Sequence, residues 1–209
     1  MSYGFLDIAV TPSVRSVQQA MGASVLWEDF RGNRAFDRFT PNEAAFIAER
    51  DSFYMATVSE TGWPYVQHRG GEPGFVKPID DMTLAFPDYR GNRQYISLGN
   101  LRADDRVSLI MMDYPRRARL KIYGHIEEVP LAADPALAER VIDPASKGKP
   151  ERILKLRLEA FDWNCPQHIT PRFTEPEIAQ AVQPLRERLA ALEEENTQLK
   201  TALARAGQL

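Results

Sequence analysis

The chain has 209 residues, 44% hydrophobic and 26% charged, values that suit one ordinary domain with appendages and not a disordered or fibrous chain. A net charge of −3 gives no overall pull toward nucleic acid or an anionic membrane, so neither is an expected partner. The single cysteine, Cys165, excludes an intrachain disulfide. No apolar run reaches the roughly 20 residues that span a bilayer, and the opening MSYGFLDIAVTPSVRS has no basic segment followed by an apolar one. A cytoplasmic location is the expectation.

Residues 1–39 read as an arm laid over the body, VQQAMG suiting a turn or two of helix and the aromatics of WEDFRGNRAFDRF acting as staples. A helix is predicted from Thr40 to about Arg50, because Thr40, Pro41 and Glu43 form a capping box with proline at the first helical position. Short β-type runs follow at Phe53–Ser59, Pro64–His68, Phe75–Pro78 and Thr83–Phe86, separated by turn signals at Thr61-Gly62 and Asp80-Asp81. A short helix is expected over Asn92–Leu101, strands over Arg106–Met112 and Arg119–Val129, and a second short helix over Leu131–Val141. Ile153–Ala160 alternates strictly between apolar and polar residues, the clearest strand signal in the chain. Six or seven antiparallel strands with few helices between them suggest a small β-barrel.

Past Asp162 comes the polar segment WNCPQHITPRF, then a capping box at Thr174 and Glu177 opens a long helix. Its apolar positions, Ile178, Val182, Leu185, Leu189, Leu192, Leu199 and Leu203, together with Asn196, are spaced 4-3-4-3-4-3-4. That is a heptad seam with Leu185, Leu192 and Leu199 at d and Asn196 at a, the pattern of a parallel coiled coil in which Arg188 faces Glu193 and Glu195 faces Lys200 of the partner helix. Pro184 is expected to kink the start of this helix, since it removes a backbone donor. The organisation read from the sequence is thus an arm (1–39), a body (40–173) and a C-terminal helix (174–209).

Two polar clusters interrupt the central strands: Gln67-His68-Arg69-Gly70-Gly71 at a strand end and Arg90-Gly91-Asn92-Arg93-Gln94 entering a helix. Arginines beside glycines and a helix start supply donors of the kind a phosphate takes, because helix-terminal N–H groups lack intrahelical partners. Other candidates carry less. Three scattered histidines and one cysteine make no zinc site, so no metal is expected. His125, in an alternating strand, reads as structural, and Trp27 and Trp63 as packing residues. Cys165 has no sequence-adjacent cation to lower its thiol pKa.

The ordered set TVSETGWPYVQHRGG, DMTLAF, SLGNLRADDRVSLIM, RLKIYGHIEEV and DWNCPQHITPRF, from about Phe46 to Phe173, resembles the pyridoxamine 5′-phosphate oxidase-like family of FMN-binding split barrels. The resemblance implies an α+β fold: a six-stranded antiparallel split β-barrel with short flanking helices, assembled as a homodimer with two FMN molecules at the subunit interface. It implies phosphate donors from Arg69 and Arg93, with Gly70 and Asn92 beside them and with Ser97 and Asn100 adding neutral donors. Gln67, His68 and Gln94 would reach the ribityl chain or ring edge. Trp163, Asn164 and Gln167 would approach the flavin from the C-terminal segment. Where the family often has lysine three residues before its Asn-Leu pair, this chain has Ser97. The Arg-x-His segment with which true pyridoxamine-phosphate oxidases hold their substrate is absent. The expected activity is therefore FMN-dependent redox chemistry of flavin reductase type, with an electron donor such as NAD(P)H. The alternatives on the same barrel are a non-catalytic flavin- or haem-binding sensor or storage protein, or a deazaflavin (F420) reductase using the run Arg116–Lys121.

Overall fold

The computed structural model describes residues 4–24, 37–163 and 166–207. Short helices α1 (Phe5–Ala9) and α2 (Pro12–Ala20) lead into α3 (Pro41–Ala48), whose start carries the capping box foreseen at Thr40 and Glu43. Seven strands follow: β1 (Ser52–Val58), β2 (Pro64–Gly70), β3 (Lys77–Pro78), β4 (Thr83–Tyr89), β5 (Arg106–Asp113), β6 (Ala118–Pro130) and β7 (Pro150–Trp163). Helix α4 (Ile96–Ala103) lies between β4 and β5, and α5 (Pro135–Val141) between β6 and β7; α6 is Glu175–Ala206.

All seven strands belong to one antiparallel sheet in the order β2-β1-β5-β6-β7-β4-β3. The six strands that the resemblance implies are seven among the described residues, in line with the seven runs read from the sequence; the edge strand β3 pairs Lys77 and Pro78 with Ala85 and Leu84. It stays two residues long and at the edge because Pro78 has no N–H for a further ladder; Phe75 and Val76, predicted as part of it, turn into the core instead. Among the described residues no ladder joins β2 to β3. The sheet nevertheless curls across that opening, where Arg69 of β2 bonds Asp88 of β4 and Phe53 of β1 packs on Phe75 and Phe86.

Alternation sets the core. Phe53, Met55 and Thr57 of β1, Val107, Leu109 and Met111 of β5, and Leu154, Leu156 and Leu158 of β7 face inward, and each is buried. Where β6 crosses β7 the register shifts at Gly124, and a Cβ there would stand 2.6 Å from the Arg157 carbonyl oxygen, so only glycine fits the bulge. Helix α3 is fastened to the sheet through Arg50, whose guanidinium meets buried Asp113 at 3.0 Å and the Met112 carbonyl at 3.2 Å. Of the arm, Phe5 stacks on Tyr123 at 4.5 Å and Phe39 on Phe161 at 5.8 Å, the latter one of the expected staples; the WEDFRGNR segment, with Trp27, lies outside the described residues.

Two helices begin later than predicted. Asp134 caps α5 by accepting from the Leu137 N–H, so Pro135 takes the first helical position. In α4, Arg93 and Tyr95 hold left-handed φ values of 63° and 53°, which delays the helix from Asn92 to Ile96. The chain divides into two compact units. The first takes the described residues of 1–113 and 117–169 and holds the sheet; the second takes 114–116 and the described residues from Thr170 onward. Within the second, α6 runs 32 residues, about 48 Å at 1.5 Å per residue. It continues through Pro184 as one helix. None of its residues is buried.

Candidate anion site at the open edge

The pairing of β1 with β2 decides which side chains of β2 turn inward. Phe53 faces Arg69, Met55 faces Gln67 and Thr57 faces Tyr65, so these share the inner face; Tyr54, Ala56 and Val58 pair with His68, Val66 and Pro64 on the outer one. The cluster QHRGG therefore splits. Gln67 and Arg69 line a depression of about 60 Å³ on the inner side of the open edge, together with Asn92, Arg93, Gln94 and Ser97. His68 points the other way and meets the Tyr54 ring edge-on at 5.5 Å. Gly70, also on that outer face, ends β2 opposite Ser52.

The wall opposite β2 is the approach to α4. Asn92 Oδ1 accepts from the Gln94 N–H at 3.0 Å, tightening a turn that places Arg93, exposed, on the rim. Two left-handed residues without glycine, Arg93 and Tyr95, within three positions mark a segment held in a costly conformation by its surroundings. Tyr95, the N-cap of α4, makes no side-chain cap, so the first-turn N–H groups have no intrahelical partner. One bond fixes the helix start to β2, Ser97 Oγ donating to Gln67 Oε1 at 2.7 Å. A turn later, buried Asn100 donates to Thr57 Oγ1 at 3.0 Å. Asn100 is thus a tie between α4 and β1, not part of the depression's lining.

Beneath the depression lies an ion cluster that the sequence patterns did not reveal. Asp88, only 8% exposed, takes Arg69 on one carboxylate oxygen and Arg152 on the other, both at 2.5 Å. Arg152 also meets Glu128 at 3.0 Å, and Glu151 accepts from Arg90 at 2.7 Å and from the Tyr95 hydroxyl at 3.0 Å. Arg90, with Tyr95, holds the Glu151 carboxyl below the usual range. Around the site Arg69, Arg90, Arg93 and Arg152 outnumber Asp88 and Glu151, while Glu128 is shared with Arg102. Arg69 Nε is buried with no partner, a donor still to be satisfied. Asp88 and Arg152 are ladder partners of β4 and β7. Running the strict alternation of β7 back to Pro150 was the available signal for Arg152, and an acid inside the apolar run TLAFPDY the signal for Asp88.

The remaining predicted residues lie elsewhere. Trp163 ends β7, donates from Nε1 to Glu43 Oε1 at 2.6 Å and packs edge-on against Phe46 at 4.7 Å. Gln167 is exposed and outside the depression; Asn164 and Cys165 lie outside the described residues. In the run Arg116–Lys121, Lys121 is engaged by Asp162 at 2.5 Å and by the Phe5 ring. A larger, mostly apolar cavity of about 350 Å³ opens on the outer faces of β1, β5 and β6 and contains none of the predicted residues. On its rim His125 Nδ1 meets Asp105 at 2.8 Å, and Arg106 bonds the Asp104 carboxyl and lowers its pKa to about 2. Among the described residues no group of three or more His, Cys, Asp or Glu is placed to hold a metal, and no helix is long and apolar enough to cross a membrane.

Residues 39–162, more than half of the chain, match the family model described as pyridoxamine 5′-phosphate oxidase. No curated protein matches. Among solved structures, a candidate pyridoxamine 5′-phosphate oxidase from Lactobacillus delbrueckii aligns at 17% identity and TM-score 0.47, over 61% of this chain and 96% of that one. An FMN-binding protein from Syntrophomonas wolfei aligns at 14% and 0.44, over 73% and 95%. An F420 reductase aligns at 23% and 0.40, over 59% and 98%. On the family match over residues 39–162, this chain belongs to the pyridoxamine 5′-phosphate oxidase family.

Proposed function

We propose that the chain is a flavin-binding redox protein, that its flavin is FMN, and that the depression at the open edge seats the flavin phosphate. The observation that carries this is the convergence, in one depression, of half-buried Arg69, exposed Arg93 and an uncapped helix start. A phosphate dianion accepts on three oxygens, and guanidinium forks with helix-terminal N–H groups are its preferred donors. Arg69, Arg93 and the first turn of α4 supply that set, Ser97 Oγ being committed to Gln67; Gln67 and Gln94 are placed for the polyol beyond it. Bound FMN supplies hydride and electron transfer, while the protein supplies binding, orientation and exclusion of water.

A volume of about 60 Å³ accommodates a phosphate head but not a flavin ring, whose pockets run to roughly 300 Å³ and more. The ring then needs walls that the described residues around the depression do not provide, which supports a homodimer with flavin between subunits. Tyr54, Val58 and Val66 expose apolar side chains on the outer face of β1 and β2, a surface suited to such a contact.

Oxidation of pyridoxamine phosphate itself is not the proposed activity, because the Arg-x-His substrate clamp is absent and a second phosphate needs its own cations. Oxygen-dependent pyridoxal phosphate formation by FMN-loaded protein is expected to stay well below about 1 s⁻¹, the lower edge of ordinary turnover; turnover at that rate refutes the expectation. The seat is tested by titrating the protein with FMN and with riboflavin, which lacks the phosphate. Preference for FMN supports it, and equal affinity for the two contradicts it. The absorption of protein purified from its own host separates FMN from a deazaflavin, whose phosphate would suit the same donors.

A further inference from the structure

The geometry of α6 points to a partner for it, a second copy of this chain. We infer that α6 pairs in parallel with α6 of that copy as a two-stranded coiled coil. The inference does not depend on the flavin reading. Helix α6 is continuous from Glu175 to Ala206, so the seam from Ile178 to Leu203 lies on one unbroken element. Its apolar residues are in water in the single chain: Leu185 is 71% exposed, Leu189 57%, Leu192 43%, Leu199 57% and Leu203 73%. A stripe of this length at 3.5-residue spacing is the face that coiled-coil partners bury. Pro184 falls at position c, on the outer side, which is why it leaves the seam intact. Other outer positions are satisfied within the helix: Gln183 bonds Glu187 and Gln198 bonds Glu194, while the Thr197 and Thr201 hydroxyls donate to carbonyls one turn back.

Orientation follows from Asn196 more than from charge. In a parallel pair Arg188 meets Glu193 and Glu195 meets Lys200 of the other helix. An antiparallel pair centred on the Leu189–Leu192 layer also joins opposite charges, Arg188 with Glu195 and Arg186 with Glu193. That arrangement, however, sets Asn196 against Leu185, burying an amide with no partner. Only the parallel register pairs Asn196 with its twin, and a single asparagine at a favours two strands over three.

The test uses the full chain with Cys165→Ser and Leu199→Cys, without flavin, under mild oxidation at low concentration. In the parallel pair the two position-199 side chains face each other, and a disulfide-linked dimer is the expected major species. In the antiparallel pair position 199 lies opposite 182, about 25 Å along the axis from its twin at 1.5 Å per residue, and no link forms. Adding Leu192→Glu is expected to slow cross-linking at least about tenfold by charging the seam, even where the bodies hold the helices near one another. Absence of the cross-linked dimer, or a cross-linking rate unchanged by Leu192→Glu, overturns the inference.

Discussion

Two buried polar clusters sit at different corners of the same sheet and end in different states. At the joint of α3 and β7, Glu43 is fully answered: Trp163 Nε1 donates to one carboxylate oxygen, and the Thr40 N–H and hydroxyl donate to the other. At the open edge, Asp88 is answered by Arg69 and Arg152, but the cluster keeps donors over, namely Arg69 Nε, exposed Arg93 and the first turn of α4. The first cluster closes on itself and serves packing. The second, on the function proposed above, takes an added anion. Buried ion networks are weak evidence of function by themselves; surplus donors of one sign beside a concavity are what separate the two.

The contrast breaks most visibly at Asp88. Asp88→Asn leaves half-buried Arg69 without its carboxylate and Arg152 with only Glu128 and Glu151, and is expected to destabilise the fold by about 1–3 kcal/mol. Inorganic phosphate should restore more melting temperature to this variant than to the parent, because it offers the missing charge at the same place. Equal small shifts in both would mean that no anion reaches the cluster.

Glu43→Gln sharpens the other side. Burial alone raises the Glu43 pKa, but hydrogen bonds from Thr40 and Trp163 outweigh it and hold the carboxyl below its usual range. A depressed folded pKa stabilises above the unfolded value and loses that contribution as pH falls through the folded one. The variant is therefore expected to be about 1–3 kcal/mol less stable near neutral pH, with the gap to the parent narrowing below about pH 4. Trp163 fluorescence during urea unfolding reads both, and phosphate should help both proteins equally, because the open-edge site is the same in each. A gap that does not change with pH would place the effect in packing and not in charge.

Smaller is the effect expected at Arg102. Its pair with Glu128 is exposed on the arginine side, so Arg102→Ala should cost no more than about 1 kcal/mol and leave flavin affinity unchanged. A large loss would extend the anion site beyond the Asp88 cluster.

Features encoded by neighbours in the chain were legible in advance. The capping boxes at Thr40 and Thr174, the alternation of Ile153–Ala160 and the heptads of α6 are each local, and the helices and β7 appear where those patterns stand. Of the site, both QHRGG and RGNRQ contribute to one depression. What was missed depends on register and distance. The phase of β2 separates His68 from Gln67 and Arg69, a consequence of alternation along that strand. Asp88 and Arg152 are 64 positions apart and meet only through the β4–β7 ladder. Trp163 finds its partner 120 residues upstream, and no spacing pattern reaches that far. The delayed start of α4 rests on left-handed Arg93 and Tyr95, where the usual glycine or asparagine signal is lacking.

Arg93→Ala offers the most direct measurement. Arg93 lines the depression, is exposed, and takes no place in the Asp88 cluster, so its loss should leave the melting temperature unchanged. A charge-assisted bond to phosphate contributes about 1.5–3 kcal/mol, so FMN affinity should fall at least about tenfold. Riboflavin affinity should stay as in the parent protein. The expected result is a selective loss of FMN binding, read by quenching of flavin fluorescence in parallel titrations. Unchanged FMN affinity, or an equal fall for both flavins, would contradict a phosphate seat at the open edge.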